Sequence, residues 1–157
     1  MLDRVWHCLP RVCRVCSASR VGDREMTFEA DVFQTPGPGA ATARLDWLER
    51  GHSSFLGRRF PGVNAYRFDR REHTLHVAHL RFGPQNPVPL VVLHASSDAL
   101  VSTSPHVCGH DLYSLQIFPE PDALVMRWWI QSPDATAHIT STYALRSAPL
   151  RSPASAC

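Results

Sequence analysis

Leu124-Val125-Met126-Arg127-Trp128-Trp129-Ile130-Gln131 is the stretch whose reading decides the fold. Leu124, Met126, Trp128 and Ile130 fall on one side and Val125, Arg127 and Trp129 on the other. That period of two is the mark of a β-strand with two unlike faces. Pro119-Glu120-Pro121-Asp122 turns the chain before it, and Ser132-Pro133-Asp134 turns it after. The rhythm repeats on both sides. Asp111 to Phe118 brings Tyr113, Leu115 and Ile117 together, and Thr136 to Leu145 sets Ile139, Ser141, Tyr143 and Leu145 in register.

Working back towards the start, Pro89 to Ala95 is a dense apolar run of the kind buried on both faces, and Leu100 to Thr103 adds a short strand. Asn64 to Phe68 and Thr74 to Phe82 read as a hairpin across Asp69–His73, and Gly83-Pro-Gln-Asn-Pro87 is a turn. Thr42 to Glu49 carries Leu45 and Trp47 on one face. Arg50-Gly51-His52 is read as a turn, and Ser53 to Gly62 as loop or short strand. Phe28 to Phe33 alternates with Phe28, Ala30 and Val32 together, and Thr35-Pro-Gly-Pro-Gly-Ala40 breaks it. Many strands of about eight to ten residues, short turns and no long helix predict an all-β fold. The expected architecture is an antiparallel meander closed into a single barrel or half-barrel, because closure removes exposed edges.

The 157 residues suit one domain with ragged ends. Residues 1–25 are expected to be a poorly ordered extension, residues 26–146 the barrel, and residues 147–157, rich in Pro, Ser and Ala, a disordered tail. The first segment shows no core periodicity, and Met26, just before the first convincing strand, is an alternative start. Cys13-Arg-Val-Cys16 has zinc-type spacing, but His7 and Cys8 are adjacent and too tight to supply two tetrahedral vertices. The arginine-rich start is reminiscent of an organellar transit peptide, a match that Asp3, Asp23 and Glu25 spoil, and Pro10 interrupts any secretory core. The expected compartment is reducing and cytoplasmic, with free thiols.

A net charge of +2, with acids spread along the chain, argues against nucleic acid as a partner. All 16 basic residues are arginine, which reflects gene composition rather than a phosphate-binding face. No apolar run reaches the ~18 residues of a membrane-spanning helix. The sequence names no oligomeric state.

The chemistry gathers between Ser104 and Tyr113, in His106-Val107-Cys108-Gly109-His110-Asp111-Leu112-Tyr113. Together with Asn64-Ala-Tyr-Arg-Phe-Asp, Thr74-Leu-His-Val, Leu90-Val-Val-Leu-His and Leu45-Asp-Trp-Leu-Glu-Arg-Gly51, it resembles an uncharacterised bacterial and fungal domain family with a His-x-Cys-x-x-Asp-x-Tyr signature. The likeness covers residues 27 to 145. It implies a calycin-like barrel, similar to lipocalins and fatty-acid-binding proteins, with a small-ligand cavity and no assigned activity. The basic turn of that pattern is replaced here by Ser132-Pro-Asp-Ala-Thr136. Its opening Trp-containing strand is absent before Met26, unless Trp6 is the remnant.

On this reading the protein binds a small, largely apolar molecule through His106, Cys108, Asp111, Tyr113, Trp128 and His138, with no catalytic residue, metal or cofactor assigned. Cys108 packs in the core as a small hydrophobe, Asp111 caps the turn, and Tyr113 and His106 hydrogen-bond across the barrel end. Two alternatives stand beside it. One is a haem- or metal-binding barrel, with His138 as the axial ligand near Trp129 and Tyr143. The other is a cysteine/histidine-dependent enzyme centred on Cys108. His73, His76 and His79 make no metal set, since His76 faces opposite to the other two.

Overall fold

The structure, a computed structural model, describes residues 1–37 and 43–146. The expected C-terminal tail and the tip of the Pro-Gly loop, residues 38–42, lie outside the described residues. The chain opens with helix α1 (Leu2–Cys8) and a single 3-10 turn (Leu9–Arg11). Strands follow in unbroken succession: β1 (Val12–Val21), β2 (Arg24–Pro36), β3 (Arg44–Phe55), β4 (Arg58–Arg70), β5 (Thr74–His79) and β6 (Val88–Ala95). After them come β7 (Leu100–Ser102), β8 (His106–Cys108), β9 (Asp111–Pro119), β10 (Ala123–Gln131) and β11 (Thr136–Leu145). Neighbours pair antiparallel, β11 pairs with β1, and β9 pairs back to β10, so the sheet closes into a barrel. Both β7 and β8 pair with β9, at Leu100↔Ile117 and then at His106↔Tyr113, so they form one stave interrupted around Pro105. The barrel therefore has ten staves and closes through β9 and β10, while β8 pairs on its β9 side only.

The interior faces are those the alternation marks. Trp47, Phe68, Leu115, Ile117 and Leu124 are all essentially inaccessible, and the Trp47 ring packs edge-on against Phe68 and tilted against Tyr143. Val91 and Leu93 of β6 point inward while Val92 is 38% exposed. The apolar run from Pro89 to Ala95 is thus buried on one face only, which corrects the expectation of burial on both. A barrel wall has solvent outside, so only a covering layer of helices would have required a two-sided strand.

The first 25 residues are the main correction. They are not a loose extension: α1 packs at one end of the barrel against β9 and β10, and β1 is a full stave between β11 and β2. Val5, Leu9, Val12 and Val15 are all 0% exposed. Leu2, Val5, Trp6 and Leu9 recur at helical spacing, with Trp6 half-buried against the core. In β1 the register shifts between Val12 and Arg14, so two valines three positions apart both point inward. Beyond Val15 the inward positions are Ser17 and Ser19, which line the lumen. A bulge followed by serines leaves no apolar alternation for a strand template to detect.

The second correction is β3, which runs straight through Arg50-Gly51-His52 to Phe55 where a turn was expected. Gly51 sits between Ala30 and Gly62 on the neighbouring strands. A Cβ at Gly51 would stand 1.9 Å from the Glu29 carbonyl oxygen and 2.5 Å from the Ala30 Cα. Glycine here permits a close approach of backbone in the wall rather than a reversal. The reversal comes later, at Leu56-Gly57, where both residues have positive φ (48° and 72°), as a two-residue hairpin with the twist of its strands requires. Residues 58–62, expected as irregular, are therefore the start of β4.

Candidate functional site

An up-and-down barrel places alternate turns at opposite ends. The helix α1 occupies one end, and the turns β1–β2, β3–β4, β5–β6, β8–β9 and β10–β11 rim the other. A cavity of about 670 Å³ enters from this rim and reaches the barrel centre. Its walls are Phe28, Val88, Leu90, Trp128, Ile130 and Ile139.

Its floor is polar. Glu49 lies on the inward face of β3 after Leu45 and Trp47, and only 2% of it is exposed. The Tyr143 hydroxyl donates to Glu49 Oε1 at 2.8 Å, and Asn64 Nδ2 donates to Oε2 at 3.1 Å. The hydroxyls of Ser17 and Ser141 share a hydrogen bond of 2.7 Å beside them. Asn64–Glu49 and Ser17–Ser141 are cross-strand pairs of neighbouring staves, whereas the Tyr143–Glu49 bond ties β11 to β3 across the lumen. Burial pushes the Glu49 carboxyl above its ordinary range, and the hydrogen bonds from Tyr143 and Asn64 hold part of that back. Burial, and after it the Glu49 charge, pushes the phenols of Tyr66 and Tyr143 well up, so both remain neutral.

The sign of the Glu49 shift gives a stability prediction. The native carboxyl holds its proton more tightly than the unfolded chain, whose ordinary value is 4.5. Its contribution to stability is therefore full below that value and is lost as pH rises through the raised native one. Glu49→Gln keeps the shape and cannot ionise, and Asn64 can turn its amide to accept from the new Nε2. The gap in thermal midpoint between variant and wild type is expected to shift in favour of the variant as pH climbs above 4.5. Thermal melts of both proteins across that range check this, and a gap that does not change with pH would contradict it.

Of the six site residues expected from sequence, His106, Cys108, Tyr113 and Trp128 line the cavity. The first three stand at its rim on the β8–β9 hairpin, where His106 faces Tyr113 with ring centroids 6.3 Å apart. Asp111 pairs with Cys108 across the hairpin and accepts from the Tyr113 hydroxyl at 3.5 Å. Tyr113 bonds to Asp111, not to His106, a correction to the expected His106–Tyr113 bond. Cys108 is exposed, which corrects its expected place in the core: β8 lies on the lip of the barrel, above the packed layers. His138 is the other misplacement. Its strand neighbour Ile139 lines the lumen, so His138 faces out, with its ring 6.4 Å from that of Trp129. It cannot serve as an axial ligand inside the barrel. The histidines that do reach the lumen are His79 and His106, and burial together with nearby Arg81 lowers the His79 pKa.

Glu49, Asn64 and Tyr66 escaped the sequence reading as site residues. The signal for Glu49 was present: an acid in step with Leu45 and Trp47 on an inward face. Among the described residues no three His, Cys, Asp or Glu side chains gather into a metal cage, and Cys8, Cys13, Cys16 and Cys108 are free thiols. Cys157 lies outside the described residues. No helix among them is long and apolar enough to cross a membrane.

Fold and lumen together define the class: a closed antiparallel β-barrel with an internal cavity open at one end. The chain belongs to DUF6314, a family of unknown function, whose pattern matches residues 11–145. Those bounds begin one residue before β1 and end with β11, so the pattern spans all ten staves and leaves α1 outside. No curated relative matches the chain.

Proposed function

We propose that this protein is a calycin-like carrier that takes a small, largely apolar molecule into its barrel through the open end, and that its role is binding rather than catalysis. The observation that carries the reading is the lumen of about 670 Å³, walled by apolar and aromatic side chains and built over a small set of fixed polar groups. Cavities of this size and lining are the usual form of small-molecule sites. Trp128 supplies an aromatic wall, while His106, Cys108, Asp111 and Tyr113 form one side of the entrance. His138 has no part in it. A reducing compartment suits the free thiols.

Titration with N-phenyl-1-naphthylamine, a neutral dye that fluoresces in apolar surroundings, tests the reading. Saturable binding of one dye per chain is expected, with quenching of tryptophan emission through Trp128. Native mass spectrometry of protein purified from its own source should show a retained organic molecule. A dye that does not saturate, from protein that retains nothing, would overturn the carrier reading. A retained haem or metal mass would replace it.

A further inference from the structure

The floor of the lumen shows which end of a ligand enters first. Glu49 is an acid enclosed in the barrel, and none of the ion pairs among the described residues involves it. Two donors, Tyr143 and Asn64, each occupy one of its oxygens. A carboxylate has about four acceptor positions, so about two remain. Around it stand the hydroxyls of Ser17 and Ser141, and the aromatic rings of Tyr66, Tyr143 and Trp128 also line the cavity. A buried carboxylate without a counter-ion is costly, and a cation delivered with its own hydrogen-bond donors removes that cost.

We infer that Glu49 is the recognition group for a protonated amine, and that the natural ligand is an apolar body bearing an ammonium head which seats against Glu49 at the floor of the barrel. This rests on the carrier reading and deepens it. The three N–H groups of a primary ammonium match the acceptors present: the free positions on Glu49 and the seryl oxygens beside it. The aromatic rings add attraction for a cation in a desolvated site. An alcohol makes at most one donated bond there and brings no charge. A carboxylic acid head brings a second acid to the first, which like-charge repulsion disfavours. The apolar tail then runs along Phe28, Ile130 and Ile139 towards the rim.

The experiment uses the full chain loaded with N-phenyl-1-naphthylamine at pH 7 and displaces it with decylamine, decanol and decanoic acid. Because a charge-assisted bond is worth about 1.5–3 kcal/mol, decylamine should displace the dye at a concentration about ten-fold or more below that of decanol. Decanoic acid should be weakest. In Glu49→Gln, once a thermal melt has established that the variant is folded, the advantage of the amine over decanol should fall to about two-fold or less. Equal displacement by amine and alcohol, or an amine preference that survives Glu49→Gln, overturns the inference and leaves the carrier reading intact. Should the variant fail to fold, wild-type protein labelled with carboxyl-13C glutamate serves. One buried glutamate resonance should move with decylamine and stay still with decanol, and a resonance that responds to neither rejects the assignment. If the dye does not bind at all, both readings fall.

Discussion

A chain lacking residues 1–21 is expected to lose cooperative folding altogether. The deletion takes out α1 and β1, and with β1 goes the stave that joins β11 to β2. The closed barrel becomes an open sheet with two long unpaired edges, which are templates for aggregation. It also removes Val5, Leu9, Val12 and Val15, each 0% exposed. Fully burying such a side chain is worth roughly 1.5–3 kcal/mol, so the four together supply about 6–12 kcal/mol, comparable with the whole stability of a domain. Thermal unfolding of the truncated protein, followed by circular dichroism, checks this. A soluble product with a sharp transition would show that the remaining staves close without β1.

Gly51→Ala is expected to be strongly destabilising, although it adds one methyl group. The new Cβ would meet backbone, the Glu29 carbonyl oxygen at 1.9 Å and the Ala30 Cα at 2.5 Å, and backbone in a paired strand cannot swing aside as a flexible side chain can. Relief requires β2 and β3 to part where the wall is tightest, breaking ladder bonds beside the strand position that holds Glu49. The loss should be about 3 kcal/mol or more by urea denaturation, at the upper end of overpacking. Gly57→Ala is the control. Nothing lies within 4 Å of a Cβ there, and only its positive φ of 72° is at stake. That should cost about 1–2 kcal/mol. Equal effects of the two substitutions would mean that the wall gives way at Gly51 more readily than its geometry indicates.

The two substitutions bear on what kind of molecule this is. The close approach at Gly51, facing Gly62 on one side and Ala30 on the other, holds the strands of the site in a narrow wall. Glu49 lies two residues back on β3 and takes its partners from β4 and β11. Rigidity of the wall and orientation of the carboxyl are therefore one property. On the carrier role proposed above, a recognition group held on paired strands would lose little entropy when a ligand arrives.

The alternation of Leu124, Met126, Trp128 and Ile130 and the prolines of the intervening turns determined by themselves that this chain is an antiparallel β protein. That pattern also set the inward faces of β2, β3, β9, β10 and β11, because side-chain direction in a strand follows from the backbone. The segment His106–Tyr113 was legible as chemistry, and three of its residues do face the cavity. The tertiary structure alone decided the rest. A bulge at Val12–Arg14 and the inward serines of β1 erase the period of two, so only its pairing with β11 and β2 reveals a strand. Gly51 carries the same local signal whether it turns a chain or lets two strands touch, and only the neighbour across the sheet distinguishes them. His138 and Cys108 were misplaced because period alone cannot say which side of a closed wall is the inside, or where along its height a residue stands. Glu49 became a site when Tyr143, 94 residues away, closed over it, a contact made by the barrel and not by the sequence around either residue.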